Sequence, residues 1–387
     1  MDGPLDQRQL SQILNYDDAR AAARAVLPRF LFRDVEHGSE DELTLHRNRQ
    51  SFREVRFLPR MAVENPAPRI GTSLFGVELE LPVLIAPMAR SRLVHPDGDL
   101  AMARAAATGG TIQVVASGSG FPLEKVCPAG GGPKWFQVAR LVSGELTEHL
   151  AERAERAGYR ALVVTVDAPV SGSRERSRRD VPYGALENAV RMAPQLAARP
   201  GWLYRFWRDG MPSRTPNTEG WTVSGQAVPA GPGGAAGHSN APTWAEIARL
   251  RELWGGPLLV KGLLAPDDAR RAADAGADGI IVSNHGGRQL DGAPGTLDAL
   301  PGVVAAVDGR LEVLLDGGIR RGGDVVKALA LGARAVLVGR FAMWSLAAGG
   351  QAGVERMLAI LRADLVRTMR LVGCTSVDDL DRSWLFS

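Results

Sequence analysis

A short polar segment, Ser283–Asp291, carries the residue types in this chain that are best suited to chemistry. It follows the apolar run Gly279–Val282 and contains His285 and, three residues later, Arg288, with two glycines between them. A histidine accepts a proton near neutral pH, and an arginine holds a carboxylate through two parallel hydrogen bonds. The glycines let the backbone approach a ligand closely. The segment therefore predicts a site for proton transfer and anion binding at the end of a buried strand.

Two other apolar runs also end in ionisable side chains. Lys261 ends the run Pro257–Lys261 and is one of only four lysines in an arginine-rich chain, which indicates a need for a compact positive charge. That charge suits either a Schiff base or the stabilisation of negative charge on a reduced cofactor ring. Asp167 ends the run Ala161–Asp167, and its carboxylate can orient His285 and stabilise the imidazolium cation. Spacing alone leaves these roles open.

Two glycine-containing turns near the end of the chain predict a phosphate site. Asp316–Arg320 and the pair Gly339 and Arg340 each follow an apolar run and precede a helical pattern. Free backbone N–H groups at the start of a helix attract anions, and the helix dipole adds to this attraction. The two arginines can add charge-assisted hydrogen bonds. One such turn alone would be an ordinary tight turn, but two at consecutive strand ends favour phosphate binding.

Eight apolar runs of strand type position these residues. They alternate with alanine-rich amphipathic stretches, and this alternation predicts a parallel sheet that is buried on both faces. Eight such units in about 260 residues favour an α/β fold of the (β/α)₈ TIM barrel type over an open sheet. The runs are Pro82–Pro87, Thr111–Val115, Lys134–Val138, Ala161–Asp167, Pro257–Lys261, Gly279–Ser283, Leu311–Asp316 and Ala335–Gly339.

The whole chain, residues 1–387, is predicted to form a single domain. Residues 7–37 favour N-terminal helices, the barrel core is expected at about 80–375, and a long loop without a clear strand follows strand four at about 168–241. A loop of that length is typically a lid or a binding loop. It contains the aromatic and basic piece Trp202–Arg208, which can touch a membrane surface. Packing onto the barrel mouth or a neighbouring subunit is the favoured interpretation.

Composition narrows the classes of function. The net charge of +3 is spread along the chain, which disfavours nucleic-acid binding. Cys127 and Cys374 lack ligand spacing and are expected to be reduced and buried, and no cluster of residues has the spacing of metal ligands. No apolar run reaches membrane-spanning length, and the first residues lack the apolar core of a signal peptide. We expect a cytoplasmic protein without stable membrane insertion.

The sequence resembles the FMN-dependent α-hydroxy-acid oxidase and dehydrogenase family, which includes glycolate oxidase, lactate oxidase and mandelate dehydrogenase. The resemblance implies a barrel that binds FMN and moves two electrons from the α-carbon of a small-molecule substrate to the flavin, which O₂ or another acceptor then reoxidises. It also implies a homotetramer. It extends from about Pro28 to Cys374, and its motifs are Ser283–Asp291, Leu314–Gly322, Lys327–Gly332 and Val338–Arg340.

The resemblance also implies roles for individual residues. His285 is expected to be the active-site base with Asp167 as its partner, and Lys261 is expected to lie beside the flavin N1–C2 carbonyl. Arg288 and Arg174 are expected to hold the substrate carboxylate. The residues expected to contact the isoalloxazine, the ribityl chain or the phosphate are Pro87, Met88, Ala89, Ser117, Gln137, Thr165, Lys261, Ser283, Asp316, Gly317, Gly318, Arg320, Gly339 and Arg340.

Three positions in the expected substrate pocket depart from the family pattern. Asp34 stands where a tyrosine is usual, Ala139 replaces the tyrosine that follows the strand-three glutamine, and Gly118 replaces a larger residue after strand two. The smaller side chains enlarge the pocket, and the Asp34 carboxylate would repel a small 2-hydroxy acid by like charge. These changes predict an atypical pocket with a bulkier substrate, including one whose amine pairs with Asp34.

Four interpretations of the function follow. The leading one is an FMN enzyme that oxidises the α-carbon of a 2-hydroxy acid, or of a related bulky substrate, to the keto product. The alternative is a tailoring oxidase that acts on an amine or alcohol of a natural-product intermediate. A third is a flavin-independent barrel lyase that uses Lys261 as a Schiff base. The fourth is a flavin-binding scaffold without catalysis.

Overall fold

The computed structural model describes residues 6–64, 66–138, 144–178, 192–209, 215–219, 222–223, 226–227 and 241–386. Its centre is a closed barrel of eight parallel strands, labelled β1–β8 in chain order. The predicted (β/α)₈ barrel is therefore confirmed, with strand bounds that differ from the predicted runs by one or two residues. The strands are Val83–Ile85, Gln113–Ala116, Lys134–Val138, Ala161–Thr165, Leu258–Leu263, Gly279–Val282, Glu312–Asp316 and Ala335–Val338.

The barrel strands are apolar on both faces because both faces are covered. Each strand pairs in parallel with the next one in the chain, and β8 pairs with β1 to close the barrel. In β6, Ile281 packs in the barrel interior, whereas Ile280 and Val282 pack against the surrounding helices. Full burial of each such side chain contributes about 1.5–3 kcal/mol. The alternation explains why the strands could be recognised as continuous apolar runs.

A hairpin covers the amino-terminal end of the barrel. Its strands, Thr72–Leu74 and Val77–Leu79, pair antiparallel. Leu74 and Leu79 join the apolar cluster of the barrel interior, and the Phe75 ring lies 5.8 Å from that of Trp135 at the start of β3. The carboxyl end of the barrel is left for ligands, which is the usual arrangement in this architecture.

Helices surround the barrel and begin at recognisable signals. Thr243 caps one helix, since its hydroxyl accepts from the N–H of Glu246 while the Glu246 carboxylate accepts from the Thr243 N–H at 2.6 Å. The last helix contains a break at Gly349 and Gly350, where the backbone leaves the helical region. The helices after β1 are Ser91–Val94, Gly98–Thr108, Leu123–Val126, Gly144–Ala157, Glu175–Arg178, Pro200–Arg208, Trp244–Leu253, Pro266–Asp274, Thr296–Val307, Gly322–Ala330 and Arg340–Val372.

The N-terminal helices pack beside the carboxyl end of the barrel. Residues 7–37 are largely helical as predicted, and the Phe32 ring stacks on Trp344 at 4.7 Å. The fourth helix reaches the end of β6, where the side-chain amides of Asn48 and Asn284 exchange hydrogen bonds of 2.8 Å. These contacts bring Asp34 to the barrel mouth. The helices are Gln7–Ser11, Tyr16–Val26, Arg29–Glu36 and Leu43–Glu54.

The insert after β4 is only partly within the described residues. It was expected to lack strands, and this is wrong at one place, because Thr222–Val223 pairs antiparallel with Gln226–Ala227. In the helix Pro200–Arg208, the Trp202 indole is buried and donates to the Leu93 carbonyl at 2.8 Å. This contact agrees with the expected packing of the aromatic piece onto the barrel, since an indole N–H that is buried requires a partner.

The remaining elements lie near the C-terminus. Arg56–Phe57 pairs antiparallel with Leu385–Phe386, and two short 3₁₀ turns occupy Val377–Asp379 and Arg382–Trp384. Within the described ranges, no helix has both the length and the apolarity needed to cross a bilayer. The same part of the chain contains no group of three or more His, Cys, Asp or Glu side chains that could hold a metal ion.

Candidate active site

A histidine and an aspartate from neighbouring strand ends form the centre of the site. The His285 Nδ1 atom lies 3.0 Å from an Asp167 carboxylate oxygen, so the pairing that spacing left open is present. His285 has a left-handed backbone with φ of 58°, and its N–H donates to the Ser283 hydroxyl at 3.0 Å. Such a conformation is uncommon for a residue with a side chain and occurs often at active sites. The ring is thereby held beside the cavity.

Charge keeps the partner of this histidine ionised. Burial would raise the pKa of Asp167, but the His285 ring and the Lys261 ammonium outweigh burial and lower it. The second Asp167 oxygen is buried and has no hydrogen-bond partner in the described structure. An ionised carboxylate in this position orients the imidazole and stabilises its cation when it takes a proton.

Lys261 lies in β5 within a buried ion pair. Its ammonium is 2.9 Å from an Asp316 carboxylate oxygen and donates to the Ser283 hydroxyl at 2.7 Å. Burial would lower the pKa of Lys261, but Asp316 and Asp167 raise it above the ordinary value. The side chain is therefore an ammonium at neutral pH. A Schiff base requires a neutral amine, so this environment does not suit the lyase interpretation.

Asp34 lies among three arginines that line the same cavity. Arg90 donates to one carboxylate oxygen at 2.9 Å, while Arg174 and Arg288 each lie 3.9 Å from the other oxygen. Burial would raise the pKa of Asp34, but the three guanidinium groups together lower it. Asp34 is therefore a counter-ion to the arginines. The expectation that it is free to pair with a substrate amine is not supported by this arrangement.

Positive charge nevertheless exceeds negative charge around Arg288. Burial lowers the pKa of Arg288 to about 9, and the nearby Arg174 cation lowers it more than Asp34 raises it. The guanidinium stays charged at neutral pH. Its Nη1 donates to the backbone carbonyls of Asp34 at 2.6 Å and His37 at 3.1 Å, which fixes its position. An anion placed between Arg174 and Arg288 would relieve their repulsion.

The loop after β7 forms a glycine cradle at the other end of the cavity. Gly317 and Gly318 have φ of 89° and 86°, which favours glycine. A Cβ atom at Gly318 would collide with the Asn48 carbonyl oxygen. Arg49 donates to the Gly318 carbonyl and, at 3.0 Å, to the Asp324 carboxylate. These contacts hold the backbone of the loop open toward the cavity.

Two arginines at this end have no acidic partner. In the described part of the chain, neither Arg320 nor Arg340 has a carboxylate within 4.0 Å. The Arg320 guanidinium lies 4.2 Å above the Tyr16 ring, and Arg340 donates to the carbonyls of Val35 at 3.0 Å and Gly286 at 2.9 Å. Buried cations without a counter-ion are costly. The pair therefore indicates a site for a phosphate group.

Most of the predicted site residues line one cavity of about 420 Å³. Thr165 and Ser283 lie behind it, where Thr165 accepts from Gln137 at 2.6 Å and Ser283 accepts from Lys261. Ala139 lies outside the described residues. The predicted residues in the lining are Asp34, Pro87, Met88, Ala89, Ser117, Gly118, Gln137, Arg174, Lys261, His285, Arg288, Asp316, Gly317, Gly318, Arg320, Gly339 and Arg340.

Several residues that line the cavity were not predicted from the sequence. Arg90 and Arg92 follow the β1 strand end directly, and charged residues at that place could have been selected by the rule that chemistry follows strand ends. Arg49 comes from an N-terminal helix, and Thr215 and Thr218 come from the insert. No local pattern in the sequence marks these three, because only the tertiary structure brings them to the barrel mouth.

The residues present fit the FMN that the family resemblance implies. One Asp316 carboxylate oxygen is buried, has no hydrogen-bond partner within the described ranges and can accept from a ribityl hydroxyl. Arg320, Arg340 and the Gly317–Gly318 backbone would hold the phosphate, and Lys261 would lie beside the ring. The residues after β1, together with Gln137, would contact the isoalloxazine. The donor set and the cradle both match a flavin mononucleotide.

Comparison with known proteins gives a consistent result. The family model described as FMN-dependent dehydrogenase matches residues 23–387. L-lactate oxidase from Nostoc sp. is 43% identical, over 97% of this chain and 99% of that protein. Pre-mycofactocin synthase from Mycobacterium tuberculosis is 42% identical, over 94% and 91%. The crystal structure of the monotopic membrane protein (S)-mandelate dehydrogenase is 35% identical, covers 97% of this chain and 99% of that one, and has a TM-score of 0.88. The chain belongs to the family of FMN-dependent 2-hydroxy-acid oxidases and dehydrogenases.

Proposed function

We propose that the substrate is a 2-hydroxy acid whose carboxylate binds between Arg174 and Arg288. The observation that carries this proposal is the placement of these two guanidiniums in the cavity wall, each 3.9 Å from the same Asp34 oxygen. Burial and then the Arg174 cation lower the pKa of Arg288, so a further anion would be stabilising there. A carboxylate accepts from arginine in a two-pronged geometry. The His285 ring lines the same cavity. A 2-hydroxy acid held by its carboxylate would therefore present its α-carbon and hydroxyl to the base.

His285 is the proposed base. Its Nδ1 faces Asp167, so Nε2 is the ring atom that can take a proton from the substrate. Asp167 then stabilises the imidazolium cation. The oxidation removes two electrons and two protons from the acid, and FMN, when bound, accepts both electrons. The ammonium of Lys261 remains charged, and it stabilises negative charge that develops beside it.

Small residues leave room for a substrate larger than lactate. Gly118 packs closely on Ala89, since a Cβ atom at Gly118 would lie 3.0 Å from the Ala89 Cβ, and neither residue has a side chain larger than a methyl group to fill the cavity. Both residues line the cavity. The third small residue, Ala139, lies outside the described residues, so only its small size, known from the sequence, supports this inference. We infer that 2-hydroxy acids with a bulky side chain are accommodated.

A second candidate is the tailoring oxidation of a natural-product intermediate. The observation that favours it is the 42% identity to pre-mycofactocin synthase. A substrate amine would require a free carboxylate, however, and Asp34 faces three guanidiniums within 4 Å. The surrounding charge therefore supports an acid more than an amine as the group that binds here.

We further propose that the protein acts as a single-domain homotetramer in the cytoplasm and that O₂ or another acceptor reoxidises it. Cys127 and Cys374 are unpaired, as is usual in a reducing compartment. The similarity to a protein named L-lactate oxidase supports O₂ as the acceptor. Sedimentation analysis tests the tetramer, and peroxide formation during turnover tests the acceptor.

Anaerobic reduction of the flavin tests the proposed substrate class. The FMN-loaded protein is mixed with glycolate, L-lactate, (S)-mandelate and longer 2-hydroxy acids, and the visible flavin absorbance is followed. We expect loss of absorbance with 2-hydroxy acids and none with the matching 2-methoxy acids. Bleaching by 2-amino compounds alone would instead support the second candidate. Absence of bleaching with either class would support a scaffold without catalysis.

A further inference from the structure

One arginine that lines the cavity, Arg92, has no assigned role in binding FMN or the substrate carboxylate. Arg92 follows β1 and lines the cavity together with Gly120 and the insert residues Thr215 and Thr218. In the described part of the chain no carboxylate lies within 4.0 Å of its guanidinium, whereas the adjacent Arg90 pairs with Asp34. A partly buried cation without a carboxylate partner is stabilised by an anion that binds beside it.

The known contacts of Arg92 satisfy only part of its side chain. Nη1 donates to the Gly120 carbonyl at 3.1 Å, and the guanidinium lies 4.2 Å above the Phe121 ring. Its Nε atom is buried and has no hydrogen-bond partner among the described residues. Burial lowers the pKa of Arg92, and the nearest carboxylates act only from beyond 4 Å. The contact with the Phe121 ring stabilises the cation on one face and leaves the guanidinium able to bind an anion.

The stem of Arg92 is held in place by two glycines. A Cβ atom at Gly120 would meet the Arg92 side chain at 2.7 Å, and one at Gly98 would meet it at 2.8 Å. Any larger residue at these positions would displace the stem. The direction of the guanidinium is therefore set by close packing, which is a feature of a built site and not of a solvated surface arginine.

The insert completes the surroundings of Arg92 through a buried anchor. The Asn217 side chain accepts from the Leu123 N–H at 2.8 Å and donates to the carbonyls of Ser117 and Phe121 at 3.3 and 3.2 Å. This anchor ties the turn that contains Thr215 and Thr218 to the loop after β2. Both threonines line the same cavity. Their hydroxyls lie 3.1 Å apart, and the Thr218 hydroxyl is 3.3 Å from the Thr215 carbonyl, so the Thr215 proton can be donated to an anion.

The cavity shows the same pattern at its phosphate end. Arg320 and Arg340 also lack acidic partners in the described structure, and a phosphate group accounts for them. At the substrate end Arg90, Arg174 and Arg288 surround the Asp34 carboxylate. Arg92 lines the same cavity, and Asp209, Asp97 and Asp99 act on its charge only from beyond 4 Å. One substrate carboxylate compensates only part of this charge. A second anionic group on the substrate would compensate more of it.

We propose that the substrate is a 2-hydroxy acid with a second carboxylate at its far end, and that Arg92, with the hydroxyls of Thr215 and Thr218, binds this second carboxylate. The inference rests on the proposed function, because the first carboxylate is placed at Arg174 and Arg288. Gly118, Ala89 and Arg92 line the same cavity, and neither Gly118 nor Ala89 has a side chain larger than a methyl group to block it.

Pairs of acids with equal chain length test this subsite. We expect the wild type to prefer 2-hydroxyglutarate over 2-hydroxypentanoate, and 2-hydroxyadipate over 2-hydroxyhexanoate, by about 10- to 100-fold in kcat/KM, as for a charge-assisted hydrogen bond. Arg92→Met should abolish the preference, and Arg92→Lys should keep part of it. The readout is the ratio of the kcat/KM values for the two acids, so a lower yield or lower FMN content of a variant affects both values equally. Arg271→Met, at an exposed arginine outside the cavity, is the control and should keep the full ratio.

Equilibrium binding separates the subsite from the reaction. The Kd values of unreactive glutarate and pentanoate are measured on the FMN-loaded protein from the change in flavin absorbance. Tighter binding of glutarate that is lost in Arg92→Met and weakened in Thr218→Val supports the subsite. If the same protein is not bleached by any acid, that second result counts against the proposed function and not against the subsite. Bleaching by monocarboxylates without any preference for the second carboxylate, or an equal preference for the ω-carboxamide, would overturn the subsite and leave the proposed function standing.

Discussion

The arginines at the two ends of the cavity have different surroundings. At the phosphate end, Arg320 and Arg340 have no acidic partner in the described structure, and the glycine backbone after β7 lies open beside them. At the substrate end, Arg90, Arg174 and Arg288 surround Asp34. The arginines of the phosphate end are neutralised only by a bound ligand. At the substrate end, Asp34 neutralises part of the positive charge.

This difference indicates how each end can vary. A phosphate group always brings the same charge, so arginines without counter-ions suit it. A substrate varies in charge and size, and an internal carboxylate such as Asp34 adjusts the surplus that the substrate must compensate. The phosphate end is built on the strand ends of the barrel. The substrate end draws its residues from an N-terminal helix, from the loops after β1 and β6, and from the insert after β4.

The largest effect is expected at the base that lies between the two ends. His285→Ala should lower the rate of flavin reduction by a 2-hydroxy acid about 10²- to 10⁴-fold, since it removes the proton acceptor. FMN should remain bound, because the phosphate end does not depend on the imidazole. Stopped-flow absorbance under anaerobic conditions measures the rate, and His46→Ala, an exposed helical residue, serves as the control. Undiminished bleaching would show that another group is the base.

Arginine substitutions at opposite ends should have separate effects. Arg288→Met should raise the KM for a 2-hydroxy acid about 10- to 100-fold through loss of charge-assisted hydrogen bonds, with FMN affinity near that of the wild type. Arg320→Met should raise the Kd for FMN by a similar factor. Titration of the apoprotein with FMN and steady-state kinetics of the FMN-saturated variants measure the two effects. If either variant changed both quantities equally, the two ends would form one coupled site.

Removal of the internal counter-ion should give the smallest effect. Asp34→Asn should lower the KM for a 2-hydroxy acid about fivefold, corresponding to about 1 kcal/mol, because the arginines then have more charge to compensate. Asp267→Asn, at a highly exposed surface ion pair, is the matched control. A rise in KM would indicate that Asp34 contacts the substrate directly.

The same variant has a defined dependence on pH. The arginines lower the pKa of Asp34 below its ordinary value in the folded state. Its contribution to the free energy of unfolding is therefore present above the unfolded pKa of about 3.9, and it is lost as the pH falls through the folded pKa. The wild type should exceed Asp34→Asn in Tm at neutral pH, and the difference should disappear in acid. A difference that persists at low pH would contradict this assignment.

The amino-acid sequence by itself determined the barrel and the end of the cavity that is built on it. Continuous apolar runs such as Gly279–Val282 predict strands because both faces of a parallel sheet are buried. Residues directly after such runs, including His285, Asp316 and Arg340, lie at the barrel mouth for the same reason. The position of each of these residues directly after a strand in the sequence was sufficient to predict its place, since the preceding strand positions it.

Only the tertiary structure decided the charge balance at the substrate end. Asp34, Arg90 and Thr218 lie on three different segments, and no spacing in the sequence relates these segments to one another. The sequence suggested that Asp34 could bind an amine, but its neighbours make it a counter-ion, because electrostatic interactions depend on distance in space. The unpaired state of Arg92 depends likewise on which carboxylates fold within 4 Å of it.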